Sequence, residues 1–349
     1  MLPAACAALL RSIGSVTRGA VLGVVGIGLV GGLIAPGAQG DDSAPAHGDG
    51  IAIGPASRIV FATVAEGRAV LEADDDFLSR LSPFDRAVRL RAAEPVSPEA
   101  FKARVGEGAA EWTAAERDRV RAAAAAVAPA LVRLALPFPE RVLLVKTAPG
   151  TEGDAAFTRG PAIFLPERMM RRGGDPLERL LLHELFHVLS RAAPGLRERL
   201  YAAIGFVACG APALPPGLDA RRITNPDAPT NAHCIRIEHG GRPMWAVPIL
   251  FSESAIVDPA TRGLFAAMRS QLLLVARPEE GPAVALLDGE SVRMVDFDSA
   301  GGFFDQVGRN THYLIHPEEI LADNFVLVVL GGEIRTPAVT ERLRRLLQP

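Results

Sequence analysis

The sequence predicts an α+β fold, on three observations. Helix-start signals govern the first third of the chain. Short apolar runs of strand length then interrupt and replace them, and helical patterns return after residue 316. The chain has 349 residues, 49% hydrophobic and 22% charged. That is too apolar for a disordered polypeptide and suits one large domain or two modest ones. A net charge of −3 supplies no basic field, so no nucleic-acid partner is expected.

The amino terminus reads as an export signal. Arg11 and Arg18 precede the apolar run Ala20–Ile34, which is 15 residues long. A signal-peptide core needs roughly 7–15 residues and a spanning helix about 20. Ala38-Gln39-Gly40 is the small-x-small pattern of a cleavage site, so residues 1–40 are expected to be removed near Gly40. The product is then secreted or held in the periplasm or cell envelope. A membrane contact is expected only if residues 20–34 stay on as an anchor. Residues 41–55 are polar, Gly- and Pro-rich, and read as a disordered linker. After cleavage two cysteines remain, Cys209 and Cys234. An even count in an exported chain favours a disulfide, with two buried thiols as the alternative.

The elements follow in order. Arg58–Val64 is a first strand, and 67–135 is mostly helical, with room for a helical subdomain. Ser97-Pro98-Glu99 starts one helix there. Thr113 with Glu116 forms a capping box before a long Ala-rich helix. Arg141–Val145 and Ala162–Leu165 are short strands. Asp175-Pro176-Leu177-Glu178 starts a helix, with Asp175 as its cap and Glu178 completing a box, and the helix runs to Pro194-Gly195. A second helix covers about 196–206, and 210–232 is a Pro-rich loop. Cys234–Glu238 and Met244–Phe251 form a hairpin across Gly240-Gly241, and 283–297 forms another that turns at Asp288-Gly289. Helices over about 317–330 and 337–347 close the chain.

The chemistry concentrates at His183-Glu184-Leu185-Phe186-His187, an H-E-x-x-H pattern. Histidines at i and i+4 share one helical face and can bind one zinc ion. Glu184, beside the first, can take a proton from a water held there. The flanks Leu180–Leu182 and Val188-Leu189 are apolar, so the helix is buried and its polar side chains need partners. Gly and His are missing at 190 and 193, where Ser190 and Ala193 stand, which excludes the longer H-E-x-x-H-x-x-G-x-x-H arrangement. The best third ligand lies in His316-Pro317-Glu318-Glu319-Ile320-Leu321-Ala322-Asp323. Glu319 can ligate zinc while Asp323, one turn on, accepts a hydrogen bond from the non-ligating nitrogen of a zinc histidine. Glu318 and His316 are the competing ligands, each with an alternative role at the helix start. Tyr313 or His312 can donate to an oxyanion. Thr224-Asn225-Pro226-Asp227 is a turn that could line a cleft, and His233 and His239 read as structural or solvated.

With these residues the chain resembles the gluzincins, the zinc metallopeptidases that pair H-E-x-x-H with E-x-x-x-D on a following helix. The match is His183, Glu184, His187, Glu319 and Asp323. Glu319 lies 132 residues after His187, far beyond the spacing usual in thermolysin-like members, so a β-rich insertion must separate the two helices. The resemblance implies a zincin-like catalytic domain over 56–349. It implies a zinc peptidase acting on a peptide or protein, with Glu184 as general base; with the export signal, and with Tyr313 as the candidate oxyanion donor, the expectation is an exported zinc metallopeptidase. It also implies an edge strand before the metal helix that pairs with substrate, a place that Gly160–Pro166 fits. The rival from another class is an inactive, zinc-stabilised binding or structural protein of the cell envelope.

Overall fold

Alternation along the strands builds the first sheet. In β4 (Arg141–Thr147), Val142 and Leu144 face one core while Leu143 and Val145 face another. In β6 (Ala162–Pro166), Ile163 and Leu165 join the first core, and Ala162 and Phe164 the second. The computed structural model describes residues 50–171, 174–257 and 263–348. The expected signal at 1–40 and the polar part of the linker lie outside these residues. Residues 51–55, expected as linker, are instead ordered. Ile51–Ala52 forms β1, antiparallel to β2 (Arg58–Phe61), and Ile53 is fully buried. Apolar Ile51 and Ile53 find core partners there, which the Gly and Pro around them disguise.

The first sheet runs β1-β2-β4-β6-β5, with β5 at Phe157–Arg159 and a short β3 (Ala109–Ala110) on the end of β4. β2, β4 and β6 are parallel, and β5 is antiparallel to β6. This corrects one expectation. Segment 160–166 is not the edge: β6 is interior and buried throughout, and β5 takes the edge. The strand expected over 58–64 also stops early, because Thr63 caps α1 (Val64–Leu71) in a capping box with Glu66.

The helices α2 (Asp76–Arg80), α3 (Pro83–Leu90) and α4 (Pro98–Gly106) follow, then the long α5 (Ala114–Leu134) capped by Thr113. α5 packs on α6 (Asp175–Ala192), and α6 packs on α8 (Pro317–Leu330). Between those last two lie α7 (Pro194–Ala203) and a second, antiparallel sheet. Its main strands are β7 (Phe206–Ala208), β8 (His233–His239), β9 (Arg242–Phe251) and β10 (Arg269–Ala276). Gly240 and Gly241 both take positive φ at the β8–β9 turn, as a two-residue hairpin of this type requires. α9 (Pro337–Leu347) ends the described fold. The architecture is therefore mixed α+β, with a β-rich segment between α6 and α8. Among the described residues no helix is long and apolar enough to cross a membrane.

Cys209 and Cys234 are both free, buried thiols, not a disulfide. Val207 pairs with Cys234, and the Cys209 N–H donates to Ala232. The two cysteines thus share a face on a diagonal of the β7–β8 ladder instead of standing directly across it.

Candidate metal centre

α6 begins at Asp175, but its cap is Gly174, not Asp175. Gly174 adopts φ 60°, where glycine is favoured, and no side chain caps the first turn. From Leu180 to Ser190 every residue is buried, so His183, Glu184 and His187 must be satisfied inside the protein. α8 supplies the partners. His316 caps it: its Nδ1 accepts the Glu318 N–H at 3.1 Å, and its Nε2 bonds Thr230 O at 3.1 Å. Burial pushes the His316 imidazole down to about 4, so it stays neutral and structural.

Glu318, Glu319 and Asp323 project onto the two histidines. His183 Nδ1 lies 2.9 Å from Asp323 Oδ1, and its Nε2 lies 3.1 Å from Glu319 Oε2. His187 Nδ1 lies 3.1 Å from Glu318 Oε1, and its Nε2 lies 3.5 Å from the same Glu319 oxygen. Each imidazole therefore has a carboxylate behind it and turns Nε2 toward Glu319. That is how second partners fix tautomer and ring orientation at metal histidines. Behind Glu318, Ser190 Oγ donates at 2.8 Å and Tyr201 donates its hydroxyl. Thr311 donates to Asp323. Asn225 Nδ2 donates to Glu319 Oε1 at 2.6 Å, leaving Oε2 to the histidines.

His183, His187 and Glu319 form a buried group whose three ligand atoms all lie within 4.8 Å of one another, and it can hold a metal ion. The fit is close. Ligands at about 2.0 Å from a tetrahedral zinc stand about 3.3 Å apart, and the observed separations from Glu319 are 3.1 and 3.5 Å. Two buried atoms facing the centre have no hydrogen-bond partner, His187 Nε2 and Glu184 Oε2. The first belongs to the group that can hold a metal ion. The second is a carboxylate oxygen free to accept a proton or a hydrogen bond.

The charge balance points the same way. Burial would depress the His183 imidazole, yet Asp323 and Glu319 hold it up at about 10. Burial also works against His187, but Glu319 and Asp227 raise it well above its ordinary value. The carboxylates thus demand positive charge at this spot. Burial, and then the Asp227 carboxylate, push Glu184 up to about 8, near the range of a working general base. Burial tends to raise Glu319 too, but His187 and His183 hold it well below the carboxylate range.

Of the expected residues, the structure brings together His183, Glu184, His187, Glu319, Asp323 and Tyr313. The Tyr313 ring lies 6.3 Å from that of His183. Burial and the carboxylates Glu319 and Asp227 push its phenol well above its ordinary value, so it stays a protonated donor. His312 is exposed. His233 pairs with Glu198 at 2.9 Å on the second sheet, and His239 ends β8. Glu318 does not compete with Glu319 for the centre, being spent on His187, Ser190 and Tyr201. The sequence gives no role to Tyr201 or Ser190, and it offers Asn225 and Asp227 only as part of a turn that could line a cleft, without the bonds they make here. A second glutamate at a buried helix start was the available signal for the Glu318 network. For Asn225 and Asp227 there was only their place in a turn.

Compared with known proteins, the chain matches no protein-family model, no curated protein and no solved structure.

Proposed function

We propose that this chain is an exported, zinc-dependent metallopeptidase with a zincin-like catalytic domain of gluzincin type. The observation that supports it best is the convergence of His183, His187 and Glu319 beside an unpartnered, buried Glu184. A purely structural metal site closes its coordination with protein ligands and needs no base. A zinc ion bound here supplies a Lewis acid that polarises a peptide carbonyl and makes water acidic near neutral pH. Glu184 takes the proton of the attacking water and passes it to the departing amine, so that one water is added across the amide bond. The Tyr313 phenol donates toward the oxygen that gains charge. Asp323 and Glu318 hold the two imidazoles in register, and Asn225 holds Glu319.

The test compares zinc content and peptide hydrolysis in the wild type, Glu319→Ala and Glu184→Gln. The expected result is one zinc per wild-type chain, strong loss in Glu319→Ala, and retained zinc in Glu184→Gln with hydrolysis down by about 10²–10⁴-fold. Full zinc in all three with no hydrolysis anywhere would favour the zinc-stabilised binding protein.

A further inference from the structure

We infer that the substrate presents a free α-amino group to Asp227, so that the site removes residues from the amino end of a peptide. This rests on the peptidase reading and adds the substrate class.

β5 is the edge strand of the first sheet beside β6, a place where an extended peptide would add as a further strand. That edge is blocked at Thr158. Its N–H points away from β6 and donates to Asp227 Oδ1 at 2.6 Å, and its hydroxyl donates to the same oxygen at 2.7 Å. A peptide lying along β5 must therefore stop there. What stops it is a carboxylate. Asp227 stands with Glu184 and His187 in a group whose ligand atoms lie within 4.8 Å of one another, so the block sits beside the reacting centre.

Charge decides which end of a peptide fits. Asp227 Oδ2 accepts no hydrogen bond among the described residues, while Oδ1 is committed to Thr158. The adjacent cation is Arg191, but its N–H groups go to Gly160 O, Thr158 Oγ1 and the Asp227 backbone carbonyl, not to the carboxylate. Glu184, Asp227, Glu318, Glu319 and Asp323 make five carboxylates around a centre designed for one divalent ion. A terminal carboxylate would be repelled at this place, and an ammonium group would be held by a charge-assisted hydrogen bond. Asp227 also lines a small cavity of about 40 Å³ whose other walls include Phe157, Leu264, Phe265, Met268, Tyr313 and Ile315.

The turn Thr224–Asp227, a strap across this end of the sheet, is held in place from behind. Thr224 N–H donates to Asp85 Oδ2 at 2.7 Å, and Arg89 donates to Thr224 O. Asp227 N–H donates to Asn225 Oδ1 at 3.1 Å. The carboxylate is thus positioned by the fold and does not hang from a free loop.

The test measures binding of leucine amide and of N-acetyl-leucine amide by calorimetry to the zinc-loaded wild type and to Asp227→Asn. Hydrolysis of leucine p-nitroanilide and of its N-acetyl form is measured alongside. The asparagine keeps Oδ1 for Thr158 and removes only the charge. Expected are a preference of roughly tenfold or more for the free amine in the wild type, its loss in Asp227→Asn, and equal zinc in both proteins. Equal binding of the acetylated amide, an undiminished preference in the variant, or no binding of either amide would overturn the inference. Hydrolysis of blocked peptides together with equal binding would leave the peptidase reading standing. A selective amine site in a protein that hydrolyses nothing would leave the amine site standing and remove the peptidase.

Discussion

Two buried charge clusters sit on either side of the strap Thr224–Asp227, and they are built to opposite ends. Around Arg89 the charges close on themselves. Its guanidinium meets Asp85 at 2.8 Å, Glu152, and the Thr224 carbonyl, and its side chain is 2% exposed. Around His183 and His187 the charges do not close. Carboxylates outnumber the groups that can offset them, and two buried atoms face inward with no partner. A finished network stabilises and positions; an unfinished one has room to take a ligand. The contrast separates scaffold from site more sharply than burial does, since both clusters are buried.

The largest expected effect tests the closed cluster. Arg89→Met leaves Asp85 and Glu152 buried without a cation, which costs about 3–5 kcal/mol. Denaturant unfolding should show this, while zinc content per folded chain stays at the wild-type level. If Arg89→Met kept its stability but lost zinc, the two clusters would not be separate units. A smaller effect is expected from Glu318→Ala. His187 loses the carboxylate that orients it, so zinc affinity should fall about 10–100-fold in chelator competition. An unchanged affinity would make Glu318 a packing partner of Tyr201 and Ser190 only.

The smallest effect is protonic. The folded His183 value of about 10 lies above the ordinary 6.5. Its contribution to the metal-free protein is therefore complete below about pH 6.5 and is lost as pH rises through 10. Glu184, raised from 4.5 to about 8, acts with the same sign over pH 4.5 to 8. The metal-free melting temperature should thus decline from pH 6.5 to 10, with a flatter profile when zinc is bound. Zinc binding at pH 7 should release about one proton or more per ion, read from the buffer dependence of the calorimetric heat. No release would mean that the open cluster already holds neutral imidazoles.

The same contrast explains what could be read from the sequence. His183, Glu184 and His187 are legible because their spacing is local and helical, and an apolar helix leaves them no other use. Glu319 and Asp323 are legible as a pair because they sit one turn apart at the start of another buried helix. Asn225 and Asp227 were not, because a turn carries no period, and their role depends on Thr158 and Glu319, which are distant in sequence. The edge strand was misplaced for a similar reason. β5 spans only Phe157–Arg159, and its three residues show no alternation against the longer β6. The disulfide expectation rested on counting cysteines, which says nothing about register.

His183 and Glu319 are 136 residues apart, with the whole second sheet between them. Closing so long a loop is entropically costly and slow, and here it must await the pairing of several antiparallel strands. The two halves of the centre are therefore expected to meet late in folding. An intermediate that has formed only α6 and the first sheet carries two histidines and no third ligand, so it can bind metal only weakly. On the peptidase reading proposed above, a chain that has not yet brought α8 onto α6 would hydrolyse nothing, because its centre is incomplete.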